Sequence, residues 1–513
     1  MTLISRVLGL VRDGVIAYIM GASAAADVFL FANKIPNFLR RLFAEGAFAQ
    51  AFVPVLSEYE ALDEKEQKDK FYTKKLIAQV SGTLGTIVTV VTLVGVIATP
   101  VLVALFGFGW FLDWLNDGPN ADNFDLANSL LKITFPYLWF VSFVALSGSI
   151  LNTLGKFGAS SFTPVLLNVA VISCAIFLSP YFAEPAYALA WGVFLGGVLQ
   201  LVFQIPFLYQ AGVLVKPRWA WNEPGVIKIR KLIVPALFGV SVTQINLLLD
   251  TVIASFLVEG SISWLYYADR LLEFPLGLFG IGIATVILPS LSGLAARKNA
   301  QEFSQTLDWG IRVISLFGLP ALVGLMVMAK PIIMVLFMRG EFSEHDVLQV
   351  SMALMAYLSG LLSFMFIKVL APGYYSRQDT KTPVKIGIIA MVANMAFNLM
   401  LAPVYGYVGL AIATTMSATL NAFLLYRGLK RDGVYQLSRT SVVMLAKMSV
   451  SAVVMGYVVY TLSPSFSSWL SFGLPYSIGK LTMCIGVGVA SYFAVIAILG
   501  IRVHHFKVQQ SRS

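Results

Sequence analysis

Charge is scarce in this sequence. Asp, Glu, Lys and Arg make up 12% of its 513 residues, about half the share in a soluble domain, so water is not the chain's main solvent. Cysteine and histidine are scarcer still. Cys174 and Cys484 both sit in apolar stretches without CxxC spacing, which reads as buried small hydrophobes rather than disulfides or thiolate metal sites. Histidine occurs only as His345, His504 and His505, the last two in a basic tail, so a zinc centre is nearly excluded. No GxxxxGK[ST] phosphate loop is present, which argues against direct coupling to ATP. No long polar stretch exists to form an appended soluble domain. A cleavable leader is not expected either, because the first apolar segment already carries Arg6, Arg12 and Asp13.

Apolar sequence is what the chain has in abundance. Hydrophobic residues make up 58% and mean hydropathy is +0.80. Runs long enough to cross a bilayer, roughly 20 residues, recur throughout. The pattern predicts an all-α polytopic membrane protein of about 14 helices, at 3–21, 24–57, 74–106, 126–152, 162–181, 186–210, 230–257, 262–294, 307–337, 347–373, 384–403, 408–427, 441–462 and 476–500.

Net charge is +10, which alone would point towards nucleic acid. The placement of the basic residues gives a different reason. Alternate loops and the tail hold 23 Lys and Arg, from Lys65 through Lys216 and Arg377 to Arg512, and the opposite loops hold only Arg339. This asymmetry predicts an even number of crossings with both termini in the cytoplasm. The opposite side also carries an acidic, aromatic loop with Trp110, Asp113, Trp114, Asp117, Asp122 and Asp125.

A faint repeat is visible. Pro54 to Ser57 ends the second span and Pro289 to Ser292 the eighth, while Thr163-Pro164 opens the fifth and Thr382-Pro383 the eleventh. Copies six spans apart share one orientation, so two lobes related by an axis along the membrane normal are expected. The predicted divisions are 1–215, 228–430, an extra helix pair at 440–502 and a basic tail at 503–513. Helix-end preference for Pro and Ser is the simpler alternative. Gly192 and Gly196 form a GxxxG pair, read as close helix packing.

The chemistry lies in charges that fall inside spans. Arg6, Arg12 and Asp13 lie in the first, and Asp27, Lys34, Arg40, Arg41 and Glu45 in the second, where Pro36 predicts a kink. Asp269, Arg270 and Glu273 lie in the eighth. An arginine at mid-bilayer costs roughly 2.5 kcal/mol or more. It persists only where it faces water, meets a carboxylate or binds an anion. Pairing is open to some of these groups, such as Arg41 with Glu45 at i,i+4. Cations nevertheless outnumber acids in the first two spans, and guanidinium forks bind phosphate bidentately. A hydrated cavity that takes a pyrophosphate headgroup is the expectation. Lys132, Lys330, Lys368, Lys447 and Lys480 lie nearer span ends and read as snorkelling residues. A weaker set, Asp250, Asn394, Asn398 and Thr414, offers oxygens for a sodium ion if their helices converge. Interhelical hydrogen bonding is the alternative.

At these same residues the sequence resembles the lipid II flippase family, MurJ (also called MviN), within the multidrug/oligosaccharidyl-lipid/polysaccharide exporter superfamily. The stretches that carry it are Ser5-Arg6-Val7-Leu8-Gly9 with Arg12-Asp13, Lys34-Ile35-Pro36-Asn37-Phe38-Leu39-Arg40-Arg41, and Ala44-Glu45-Gly46-Ala47-Phe48. Further on come Trp264 to Arg270 with Glu273-Phe274-Pro275, and Lys368 to Arg377. The aromatic loop at 107–117 departs from the family pattern.

The resemblance implies two six-helix lobes, a further helix pair forming a lipid-side groove, and alternating access that carries a precursor headgroup outwards. It implies no enzyme activity. It makes Arg6, Arg12, Arg41 and Arg270 the cavity arginines and Asp27, Glu45 and Glu273 their acidic partners. Implied partners are lipid II, membrane lipids and the cell-wall synthesis machinery, acting on a monomer in the bacterial inner membrane. No cofactor is expected beyond a Na+ or H+ counter-ion. Two rivals remain at this stage. A multidrug/cation antiporter needs acids in the pocket, and a membrane glycosyltransferase needs a catalytic carboxylate with a metal or a large outer loop.

Overall fold

The computed structural model describes residues 2–41, 47–297, 299–502 and 506, and all regular structure among them is helical. Two compact units emerge, one of residues 1–263 with 339–342 and the other of 264–338 with 343–513.

The first unit contains α1 (Thr2–Met20), α2 (Ala24–Leu39), α3 (Ala47–Lys65), α4 (Phe71–Ile97), α5 (Thr99–Phe106), α6 (Phe108–Leu115), α7 (Ala121–Thr134), α8 (Tyr137–Thr153), α9 (Phe157–Phe177), α10 (Pro185–Gln210) and α11 (Pro224–Ala254). α12 (Ser261–Pro275) starts in this unit and continues into the second. The second holds α13 (Ile281–Ala296), α14 (Ala300–Phe337), α15 (Glu344–Leu358), α16 (Leu361–Tyr375), α17 (Lys381–Arg431), α18 (Arg439–Leu462), α19 (Phe466–Ser471) and α20 (Leu474–Ile498).

Ten described helical stretches are long and apolar enough to cross a membrane. α1 carries three charges, Arg6, Arg12 and Asp13, which interrupt its apolar run. α17 is two spans joined at Gly406, whose φ of 57° and ψ of −137° no residue with a Cβ adopts readily. Large apolar side chains face outwards, with Ile97 79% and Ile498 81% exposed. That surface fits hydrocarbon, where helices alone satisfy their own backbone.

Several helices are broken where a single span is predicted. The third span divides at Ala98 into α4 and α5, and the tenth at Ser359–Gly360 into α15 and α16. The repeat residues sit differently from the expectation. Pro54, Pro289 and Pro164 lie inside α3, α13 and α9 rather than at their ends. Pro383 does fall in the first turn of α17.

Packing within the first unit explains its extent. Phe52, Val55 and Leu56 of α3 are buried with Leu76 and Val80 of α4, Ile150 of α8, and Val226 and Ile229 of α11. α11 therefore packs with the helices before it, and the units divide at Ser263–Trp264, later in the chain than the 215–228 division read from the repeat.

α10 packs closely on α9. A Cβ on Gly192 would stand 2.8 Å from the Val171 Cα, and one on Gly196 2.5 Å from Leu167 Cδ1. Backbone approach at this GxxxG pair thus depends on the missing side chains. Gly192→Val is expected to cost about 1–3 kcal/mol by overpacking, read as a lowered melting temperature in detergent, and an unchanged melt would refute the close approach.

In the second unit, α14 packs against α15, α16, α18 and α20. Asp308 of α14 is 6% exposed and fixes the start of α18. It accepts hydrogen bonds from Ser438 Oγ at 2.7 Å, Ser441 Oγ at 2.6 Å and Tyr435 Oη at 3.2 Å. The pair α18–α20 is thereby docked on this unit.

Candidate substrate-binding site

α1 presents its charges as a built arrangement. Arg12 Nη2 lies 2.7 Å from Asp13 Oδ1, and its Nε donates to the same oxygen at 3.1 Å. Nη1 donates to Asn168 Oδ1 of α9 at 3.2 Å, and Asn168 Nδ2 donates to the Ser5 carbonyl at 3.2 Å. Asp13 is wholly buried while the Arg12 side chain keeps 17% of its surface. A buried carboxylate beside a part-exposed guanidinium holds the cation in one orientation. Arg6 is exposed. Asn168 is absent from the sequence expectation; its only signal there is a lone amide in an apolar run.

α2 places its charges unequally. Arg41 is exposed, and Arg40 is half-buried with Nε donating to Asn37 Oδ1 at 3.1 Å. Lys34 Nζ donates to Thr251 Oγ1 at 3.4 Å. Glu45 lies outside the described residues.

Asp27 is sited elsewhere and its oxygens are spoken for. Oδ2 accepts from the Gly260 backbone N–H at 2.8 Å. Oδ1 accepts from the Ser263 N–H at 2.7 Å and the Ser263 hydroxyl at 2.6 Å. The carboxylate caps the first turn of α12, where free backbone donors and the helix dipole favour negative charge. Asp27 thus fixes the start of α12 through Gly260 and Ser263.

On α12, Arg270 Nη1 donates to Glu273 Oε2 at 3.3 Å, with side chains 33% and 48% exposed. Asp269 is exposed on the same helix. Pro275 lacks an N–H, and the chain widens into a π-helical turn at Leu276–Gly280 directly after it, a distortion common at functional positions. The structure therefore brings Arg6, Arg12, Asp13, Arg40 and Arg41 into the first unit, and Asp269, Arg270 and Glu273 into the second.

The weaker ion set divides similarly. Asp250 belongs to the first unit, whereas Asn394, Asn398 and Thr414 belong to the second. Asn394 is 1% exposed and neither polar atom of its side chain has a hydrogen-bond partner. Asn398 is fully buried, and Thr414 Oγ1 donates to the Leu410 carbonyl at 2.9 Å within its own helix.

A family model described as "Lipid II flippase MurJ" matches residues 16–478. The chain belongs to the MurJ family. Relatives agree with this over their full lengths. A probable lipid II flippase MurJ of Vibrio cholerae is 62% identical over 99% of this chain and 96% of its own length. The Haemophilus influenzae protein of the same description is 60% identical over 98% and 99%. The lipid II flippase MurJ of Burkholderia cenocepacia is 38% identical over 99% and 97%. A solved lipid II flippase MurJ in an inward closed conformation superposes with a TM-score of 0.79 at 27% identity, covering 97% of both chains. An inward-facing multidrug transporter of the MATE family reaches a TM-score of 0.68 at 15% identity; it shares the fold of this MurJ family member. Placement in the family makes this chain a lipid II flippase, a transporter rather than an enzyme.

Asn168 carries a prediction of its own. If it orients Arg12, Asn168→Leu lowers transport about tenfold by removing one charge-assisted hydrogen bond, and Asn168→Gln restores part of it. Transport by Asn168→Leu at the unaltered rate would remove that role.

Proposed function

We propose that this protein moves lipid II, the polyprenyl-pyrophosphate-linked cell-wall precursor, from the cytoplasmic to the periplasmic leaflet of the bacterial inner membrane. The observation that carries the reading is Arg12, a guanidinium midway along the otherwise apolar helix α1, held by Asp13 and Asn168 yet partly exposed. Such a group stays charged, and its exposed part is open to an anion. Arg6, Arg41 and Arg270 add three further cations, and a pyrophosphate supplies the matching charge.

The proposed cycle is alternating access. The arginines gather the pyrophosphate from the cytoplasm, the two units rock, and the polyprenyl tail stays in lipid along α18 and α20. An inside-negative potential favours outward movement of anionic charge, by about 2.3 kcal/mol per charge per 100 mV. A Na+ or H+ counter-ion resets the carrier, and Asn394, buried with an amide that finds no partner, supports a cation position in the second unit. Both termini lie in the cytoplasm on this reading, and one copy of the chain is sufficient.

The experiment is growth complementation in a strain depleted of its own flippase. Support of growth by this chain is expected. Failure of the well-inserted protein to complement, together with raised tolerance to cationic dyes, would favour a multidrug antiporter instead.

A further inference from the structure

The cytoplasmic ends of α18 and α20 enclose a feature that transport by the arginines does not use. A cavity of about 350 Å³ is lined by Arg439, Thr440, Val443, Met444 and Lys447 of α18 together with Gly500 and Ile501 just past α20. Its floor is apolar, with Met444 5% and Ile501 6% exposed. Its wall residue Val443 is 47% exposed, and Val442 and Val450 of the same helix are 50% and 54% exposed.

Lys447 is the unusual member. It lies eight residues, or roughly 12 Å of helix, inside Arg439. Its ammonium donates to the Leu499 carbonyl at 2.8 Å, one of the carbonyls left open where α20 ends. An ammonium carries three N–H donors, so this bond leaves two to point into the cavity. Arg439 is exposed at the mouth. Among the described residues, no carboxylate lines the cavity. Two cations over an apolar floor, open to the lipid side and closed by two helix ends, match one chemistry: a phosphate attached to acyl chains.

We propose that this crevice binds the phosphate of an anionic glycerophospholipid from the cytoplasmic leaflet, its acyl chains lying over Val442, Val443 and Val450. The leaflet rests on the orientation proposed above; the binding does not. A lysine that only snorkels reaches the headgroup zone without a shaped receptor. Here the ammonium is anchored at a fixed point beside a cavity, which makes it one wall of a site. The crevice stands at the end of the helix pair docked on α14 through Asp308, so an occupied site ties that pair to the surrounding leaflet.

The test is native mass spectrometry of the full-length protein titrated with phosphatidylglycerol against phosphatidylcholine. The wild type is expected to retain phosphatidylglycerol selectively. Lys447→Gln and Arg439→Gln are each expected to weaken retention about fivefold, with Lys447→Arg close to wild type. Val443→Trp fills the cavity and leaves both charges, and is expected to lose the lipid as well. Melting measured without added lipid shows that each variant is folded. Equal retention by wild type and Lys447→Gln overturns the proposal, as does retention by Val443→Trp. Displacement of the lipid by a polyprenyl pyrophosphate at equal concentration would also overturn it, by assigning the crevice to the transported lipid class. None of these readouts depends on flipping, so a failure here is separable from a failure of the transport reading.

Discussion

Arg270→Ala is expected to lower lipid II transport by between roughly tenfold and a hundredfold, the range for removing a charge-assisted hydrogen bond to phosphate. Growth support in a flippase-depleted strain should fail with it, while membrane insertion and melting stay close to wild type. The side chain is 33% exposed and pairs with Glu273, an i,i+3 neighbour on the same helix, so this pair does not tie α12 to another helix. An exposed pair of this kind contributes at most about 1 kcal/mol to stability. A stability loss large enough to explain the growth defect would therefore point away from substrate contact. Arg270→Lys keeps the charge and loses the fork, and an intermediate rate is the expected outcome.

Asp27→Ala is the second large effect, and it works through structure. Removing the carboxylate strands the Gly260 and Ser263 backbone donors and the Ser263 hydroxyl, which lie 2.6–2.8 Å from it now. Gly260 and Ser263 are buried, and each stranded group costs about 1–3 kcal/mol. A melting temperature lower by several degrees in detergent is expected, together with loss of transport. Asp27→Asn retains an acceptor oxygen and should recover part of the stability. Were Asp27→Ala to melt like wild type while losing transport, Asp27 would touch substrate rather than cap α12.

The contrast between these two residues shows what the sequence makes legible. Charges inside apolar spans stand out because hydrocarbon is costly for them, and Arg6, Arg12, Asp13 and Arg270 are visible on that ground alone. The GxxxG pair is equally plain, because small residues four apart line one helix face, and Gly192 and Gly196 do meet α9. The role of Asp27 is hidden, since its partners stand more than 230 residues away. Asn168 is hidden for the same reason, 156 residues from the arginine it meets. Helix breaks are hidden too. Their marks are slight, Pro100 in the first turn of α5 and the Ser359-Gly360 pair before α16, while the prolines that look like helix ends at Pro54 and Pro289 are carried inside continuous helices.

Arginines held at membrane depth for the sake of a pyrophosphate are the centre of the account. The direct measurement is the appearance of fluorescent lipid II in the far leaflet of proteoliposomes that hold the purified protein, with and without an imposed potential. Transport by wild type, faster with the potential set to drive anions outwards and lost in Arg12→Ala and Arg270→Ala, is the expected result. Undiminished transport by those two variants would contradict it.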